Sequence, residues 1–332
     1  MPGTNDSLTR HVAPFHAGAH VTGAAFLADV PVLALGDGSL HRGWGDAAER
    51  FDAHDGSILV AASDGTRLVT GGDDGRVLLT GAAGAPSLLA DEKGRWIDAV
   101  ALGPAGTAAW SCGKSITARD GKGGLKTLGA PSSCRGLAFA PKGYRLAFSH
   151  IDGASLWFPN TGATPENLEW KGGHLDITWS PDARFVVSSM QENQLHGWKL
   201  PEKAHMRMSG YPGKTRSMSW SGDGQWLATS GAEAAIIWPF SGNGPMGKAP
   251  RECGVRPRRV TRCAFHPKAL VLAIGYDDGF VMLVRLTDAA ELVVRRNEPG
   301  GAITALAWDS AGNRLLFGSE EGAAGLLTLP GN

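Results

Sequence analysis

The chain has no long apolar run, no excess of charge of either sign and no cysteine pair at metal-binding spacing. Each absence removes a class of protein. The longest apolar stretches, such as 270–274 and 281–284, have the length of a strand and not of a membrane-crossing helix. Lys plus Arg and Asp plus Glu number 32 each, so no global positive field drives binding to nucleic acid. The first ten residues, MPGTNDSLTR, hold no apolar core and do not read as a secretory signal. The four cysteines, Cys112, Cys134, Cys253 and Cys263, form no CxxC pair. Free thiols in a reducing compartment are the expectation, which fits a cytoplasmic location. No HExxH or GxSxG occurs, and the ten histidines are scattered. Cys263 and His266 lie three apart, a two-ligand fragment that reads as a core thiol and a turn histidine. Residues 108–115, AAWSCGKS, fit a loose phosphate-loop pattern, but a strand-like ITARD follows where that loop needs a helix.

What the chain does have is a phrase repeated eight times. An apolar strand ends in a small Pro/Gly/Asp turn, and a second apolar strand follows at once. The clearest copies are LAFAPKGYRLAFSHIDG (137–153), ITWSPDARFVVSSMQEN (177–193), MSWSGDGQWLATSGAEA (218–234) and LAWDSAGNRLLFGSEEG (306–322). The first strands end at Phe26, Ala62, Leu102, Phe139, Trp179, Trp220, Phe265 and Trp308, with gaps of 36, 40, 37, 40, 41, 45 and 43 residues. A period near forty with several short strands per unit is the signature of a propeller blade. Glycine, at 47 residues, is about twice its ordinary share, as many tight turns require.

Residues 134–172 show one unit in full. Strand a (134–140) turns at 141–143 into strand b (144–150). A DG-type turn at 151–153 leads to strand c (154–159), and strand d lies near 166–170. The strands are continuous apolar runs, as expected for sheets covered on both faces. This pattern resembles the WD40 repeat over nearly the whole chain. SPD at 180–182, SGDG at 221–224 and APKG at 140–143 match that family's a–b turn, and DDG at 73–75 and 277–279 its b–c turn. Trp44, Trp157, Trp198 and Trp238 stand near its tryptophan, but Gly45, Phe158, Lys199 and Pro239 replace the aspartate that names the dipeptide. Only His16 and His54 lie near the place of the family's GH pair. The polar His–Ser/Thr–Asp–Trp network of the family is therefore expected to be mostly absent, with apolar packing in its stead.

The expected architecture is all-β: a single eight-bladed WD40-like β-propeller over residues 1–332, four antiparallel strands per blade, with seven blades as the alternative. The blades fall at about 20–53, 54–93, 94–131, 132–172, 173–212, 213–254, 255–299 and 300–330. The last copy lacks a fourth strand, and residues 8–15 are expected to supply it and close the ring.

The resemblance implies a face, formed by the d–a and b–c loops, on which partners dock around the channel mouth. Six residues before each marker, that rim reads His20, Gly56, Trp96, Ser133, Gly173, Lys214, Arg259 and Ala302. Its variety marks a candidate recognition surface. Trp96 follows a polar loop, Tyr211 lies in Gly-Tyr-Pro-Gly, and Arg251, Arg256, Arg258, Arg259 and Arg262 cluster within twelve residues. Candidate partner-binding residues are thus His20, Trp96, Tyr211, Lys214, Arg256, Arg258 and Arg259. The function implied is a non-catalytic scaffold for a protein or peptide partner, monomeric on its own, with no cofactor, metal or catalytic residue assigned. The alternatives are an enzyme with a site over the channel and a polyanion binder acting through the arginine cluster. Nucleic acid is a disfavoured partner on charge grounds.

Overall fold

The computed structural model describes residues 7–331. Short apolar strands separated by glycine-bearing turns form antiparallel sheets, and the described residues contain no α-helix. Repeat 1 comprises the strands Val21–Leu27, Val30–Leu35, Ser39–Arg42 and Glu49–Asp52. Repeat 2 has Ile58–Ser63, Arg67–Gly72, Arg76–Gly81 and Ser87–Asp91, and repeat 3 has Ala99–Leu102, Ala108–Cys112, Ser115–Arg119 and Leu125–Gly129. Repeats 6 and 7 are Met218–Trp220, Trp226–Thr229, Ala235–Pro239 and Arg251–Cys253, then Val260–Phe265, Val271–Tyr276, Val281–Arg285 and Ala290–Arg295. Each is a four-stranded sheet.

Repeats 4 and 5 share one six-stranded sheet. Its strand Leu146–Trp157 doubles back at 151–153, where Asp152 and Gly153 take φ of +64° and +150°. Its strand Glu166–Trp179 serves repeat 4 with its first half and repeat 5 with its second, through Gly172 at φ +133°. Repeat 5 continues with Phe185–Met190, Leu195–Lys199 and Ala204–Met208. Counted as continuous hydrogen-bonded sheets the propeller has seven members. Counted as repeats it has eight, because one strand passes between two of them.

Repeat 8 has only three strands of its own, Ile303–Trp308, Arg314–Ser319 and Ala323–Thr328. The fourth is Val12–His16, antiparallel to Ala323–Thr328 from Val12↔Leu327 to His16↔Ala323. The N-terminal segment closes the ring, as expected, but its strand covers 12–16 and not 8–15. Leu8 is buried among Val281, Leu283 and Val294 of repeat 7, and its amide donates to Val293 O (2.7 Å). A 3-10 turn, Thr9–His11, then carries the chain across to repeat 8. Leu8 is thus held by the neighbouring repeat.

The core lies between repeats. One apolar cluster joins Ala228 and Ile237 of repeat 6 to Phe265, Leu272 and Tyr276 of repeat 7. Another joins Leu33 and Leu35 of repeat 1 to Leu316 and Leu326 of repeat 8. Both faces of each sheet are therefore covered, which accounts for the continuous apolar runs. Two glycines permit the closest approaches. A Cβ on Gly275 would lie 2.5 Å from Ile303 Cγ2, and one on Gly318 would overlap Val21. The tryptophans that mark the repeat stitch the inner strands together. Trp179 Nε1 donates to Ala138 O (3.0 Å), Trp220 Nε1 to Thr178 Oγ1 (3.1 Å) and Trp308 Nε1 to Ala264 O (3.1 Å).

Candidate docking surface

In a four-stranded antiparallel sheet, the start of strand a, the b–c turn and the end of strand d share one edge. All repeats turn that edge the same way, so these loops make one face, termed the top. The segment 108–115 supplies one of its b–c turns: Cys112 pairs with Ser115 and strand Ser115–Arg119 follows at once. The phosphate-loop look of its sequence therefore has no helix behind it.

Over repeats 2 to 4, the top presents apolar groups on a fixed frame. In the loop before repeat 3, Lys93 and Gly94 take left-handed φ of +59° and +72°, and Asp91 Oδ1 accepts from Lys93 N (2.8 Å). Glu92 accepts from Arg95 (2.6 Å) and, through its other oxygen, from the indole Nε1 of buried Trp110 (2.9 Å). Ile97 then turns inward against Val69 and Val77. Trp96, between the anchored Arg95 and the buried Ile97, is 65% exposed. Ile151, at the b–c turn of repeat 4, is 61% exposed.

Over repeats 6 and 7, the aromatic and charged candidates separate. Tyr211 is not on the surface. It packs with Met208, Leu227 and Phe240, its hydroxyl lies 2.6 Å from Thr229 Oγ1, and Trp238 Nε1 donates to that hydroxyl (2.6 Å). The Gly-Tyr-Pro-Gly loop suggested an exposed ring. The polar pair in repeat 6 instead offers the phenol an interior partner, and burial pushes its pKa up. Arg256 is half-buried, stacked 3.7 Å from the Phe280 ring centroid and bonded to Asp278 (3.1 Å). Arg258 is exposed, with the same carboxylate at 3.9 Å. Arg251 lies over Trp226 on the outer strand. The sequence cluster of arginines is therefore not one patch.

Lys214 and Arg259 remain exposed and line a cavity of about 420 Å³ with Arg216, Ser230, Thr261 and Asp277. His20 is also exposed, and its carbonyl accepts from Gly36 N (2.7 Å). Arg216, Arg262 and Asp176 were missed by the rim position read from sequence, because they lie two or three residues further along the inner strands. Arg262 donates to Thr304 O (2.6 Å), Thr261 O (3.1 Å) and Arg216 O (3.3 Å). Burial, helped by the like charge of Arg216, lowers its pKa. Asp176 touches water but is hemmed in by surrounding protein, which raises its carboxyl pKa against the pull of Arg262. Among the described residues, no group of three or more His, Cys, Asp or Glu side chains is arranged to hold a metal ion.

Inside repeat 2, His54 Nδ1 lies 3.0 Å from Asp74 Oδ1, and His54 Nε2 lies 2.9 Å from Thr70 Oγ1. The family described as "WD domain, G-beta repeat" matches residues 46–79, which span this histidine, threonine and aspartate. The repeats are WD40 repeats. The meiotic recombination protein rec14 of Schizosaccharomyces pombe is 31% identical over 110 residues, 32% of this chain and 36% of that protein. The match thus spans about a third of that relative's length. Two crystal structures share the fold. The computationally designed Ika8 protein aligns with a TM-score of 0.78 at 17% identity, over 95% of this chain and 98% of that one. Saccharomyces cerevisiae Sqt1 aligns with a TM-score of 0.76 at 16% identity, over 99% and 100%.

The WD40 polar network is more widespread than the eroded sequence suggests. In repeat 5, His174 Nδ1 lies 2.6 Å from Ser188 Oγ, with the ring of Trp198 beside it at 5.6 Å. In repeat 6, Tyr211 stands in the histidine's place between Thr229 and Trp238. In repeat 6 a change of residue type hid the retained geometry; in repeat 5 Gly173 and His174 are themselves a GH pair, so His16 and His54 are not the only histidines near that place. No helix among the described residues is long and apolar enough to cross a membrane.

Proposed function

We propose that this WD40 propeller is a non-catalytic docking platform whose partner, a protein or peptide, lies across the top face. The observation that carries this is Trp96: a tryptophan 65% exposed on a loop held by the side chains of Asp91, Glu92 and Arg95. Tryptophan in such a setting is a typical binding hot spot, since a rigid aromatic loses little entropy when covered. Across the mouth stand Lys214, Arg216 and Arg259, without a carboxylate within ion-pair distance among the described residues. A polypeptide segment with an apolar side chain at one end and negative charge at the other suits both halves.

The test is to isolate the native partner and measure its affinity for single variants. Trp96→Ala and Arg259→Glu are expected to weaken it at least tenfold. Lys142→Glu, in the a–b turn on the opposite face, is expected to leave it unchanged. Partner binding that responds to Lys142→Glu and ignores Trp96→Ala would move the docking site to the other face.

A further inference from the structure

Several arginines of this chain have a carboxylate in reach: Arg67 has Asp64, Arg76 has Asp55, Arg184 has Asp182 and Arg285 has Asp288. The cavity between repeats 6 and 7 gathers cations that have none. Lys214, Arg216 and Arg259 line it without such a partner. Behind them the guanidinium of Arg262 donates to backbone carbonyls, that of Arg216 among them, and is attracted by Asp176. Against the three lining cations the wall carries one carboxylate, Asp277. Like charges brought together without counter-ions destabilise the empty site. An anion relieves that repulsion and gains from it.

Two further features fit an anion. Ser230 is buried, 1% exposed, and lines the cavity. Its Oγ accepts from Arg216 N (3.0 Å), and its hydroxyl hydrogen has no acceptor among the described residues, so it is free to donate into the cavity. Gly213 lets Arg259 lie close over the backbone, since a Cβ there would come within 3.2 Å of the guanidinium carbon. The fork of Arg259 is thereby steadied, which suits bidentate contact with an oxyanion. Three lining cations against one carboxylate leave a surplus matched better by two negative charges than by one. We propose that this cavity is an anion site that takes a phosphate monoester dianion, with Arg216 and Arg259 as its main donors, Lys214 as a point charge and Ser230 as a hydroxyl donor.

This inference rests on the docking reading only for where the phosphate comes from: a phosphorylated side chain of a docked polypeptide, or a free phosphate monoester. The experiment titrates the full chain at constant ionic strength with inorganic phosphate, then with glucose 6-phosphate. A phosphoserine heptapeptide and its unphosphorylated form follow. Binding is read by calorimetry and by the rise in melting temperature. Saturable phosphate binding is expected, weakened at least tenfold by Arg216→Ala or Arg259→Ala and tightened several-fold by Asp277→Asn. Arg258→Ala should leave it unchanged. Tighter binding of the phosphopeptide than of glucose 6-phosphate assigns the polypeptide source, and the reverse order assigns the free ester. Equal effects of chloride and phosphate, or variants that bind like the wild type, would overturn the site. If phosphate fails while Trp96→Ala still releases the native partner, the docking reading stands and the anion site falls. If phosphate binds while Trp96→Ala changes nothing, the docking reading falls alone.

Discussion

The two halves of the top face use the same residue types in opposite ways. Over repeats 2 and 3 the polar and charged side chains are turned to structure. His54 joins Asp74 and Thr70, Arg76 pairs with Asp55, and Glu92 holds both Arg95 and Trp110. Beside these tethered charges an aromatic ring, Trp96, is left outside. Over repeats 6 and 7 the aromatic ring is turned to structure, with Tyr211 fastened to Thr229 and Trp238. What remains outside is charge, on Lys214, Arg216 and Arg259. In each half the network that fixes the loop decides which side chain is left for a partner.

The largest expected contrast is between the two aromatics. Tyr211→Ala empties a packed site and leaves the Trp238 indole N–H without its acceptor, and should cost roughly 3–5 kcal/mol. Trp96→Ala should change stability by less than about 0.5 kcal/mol. Denaturant unfolding of both variants checks this, and similar losses would erase the contrast. Next in size is the frame beneath Trp96. Glu92→Ala leaves the buried Trp110 indole N–H without its acceptor and should cost about 1–3 kcal/mol. Glu92→Gln, which keeps an acceptor, should recover most of that.

The pH dependence separates repeat 5 from both halves. Burial pushes the His196 pKa from 6.5 down to about 3, and lowers that of His174 as well. Between those limits the unfolded chain binds protons that the folded chain refuses, so stability rises with pH across the window. It is full above about 6.5 and is lost as pH falls toward 3, at no more than about 1.4 kcal/mol per pH unit for one histidine. Unfolding free energy measured from pH 7 to pH 4 should show this slope, and His196→Asn should flatten it. The smallest expected effect is at Arg258, whose exposed contact with Asp278 at 3.9 Å should be worth no more than about 1 kcal/mol. A larger loss in Arg258→Ala would make it part of the frame.

The fold was legible because a propeller writes its period into the chain: turn, strand and marker recur whatever fills the surface. Ring closure was legible too, from a last copy one strand short, although Leu8 shows that the closing segment binds two repeats. The candidate site was legible where exposure follows from the chain itself. Trp96 stands after Asp91, Glu92, Lys93, Gly94 and Arg95 and before an inward Ile97. It was illegible where a side chain's fate depends on a partner from another strand. Nothing local to Gly-Tyr-Pro-Gly announces that Thr229 and Trp238 await the phenol. Nothing local to Arg256 announces Phe280 and Asp278. Arg216 was hidden for the same reason: only the packing of repeat 6 against repeat 7 brings it beside Arg259 at one cavity.

The most direct test of the account is the dissociation constant of the native partner for wild type and Trp96→Ala, measured alongside their melting temperatures. Binding at least tenfold weaker with the melting temperature unchanged is expected. Equal affinities at equal melting temperatures would contradict it.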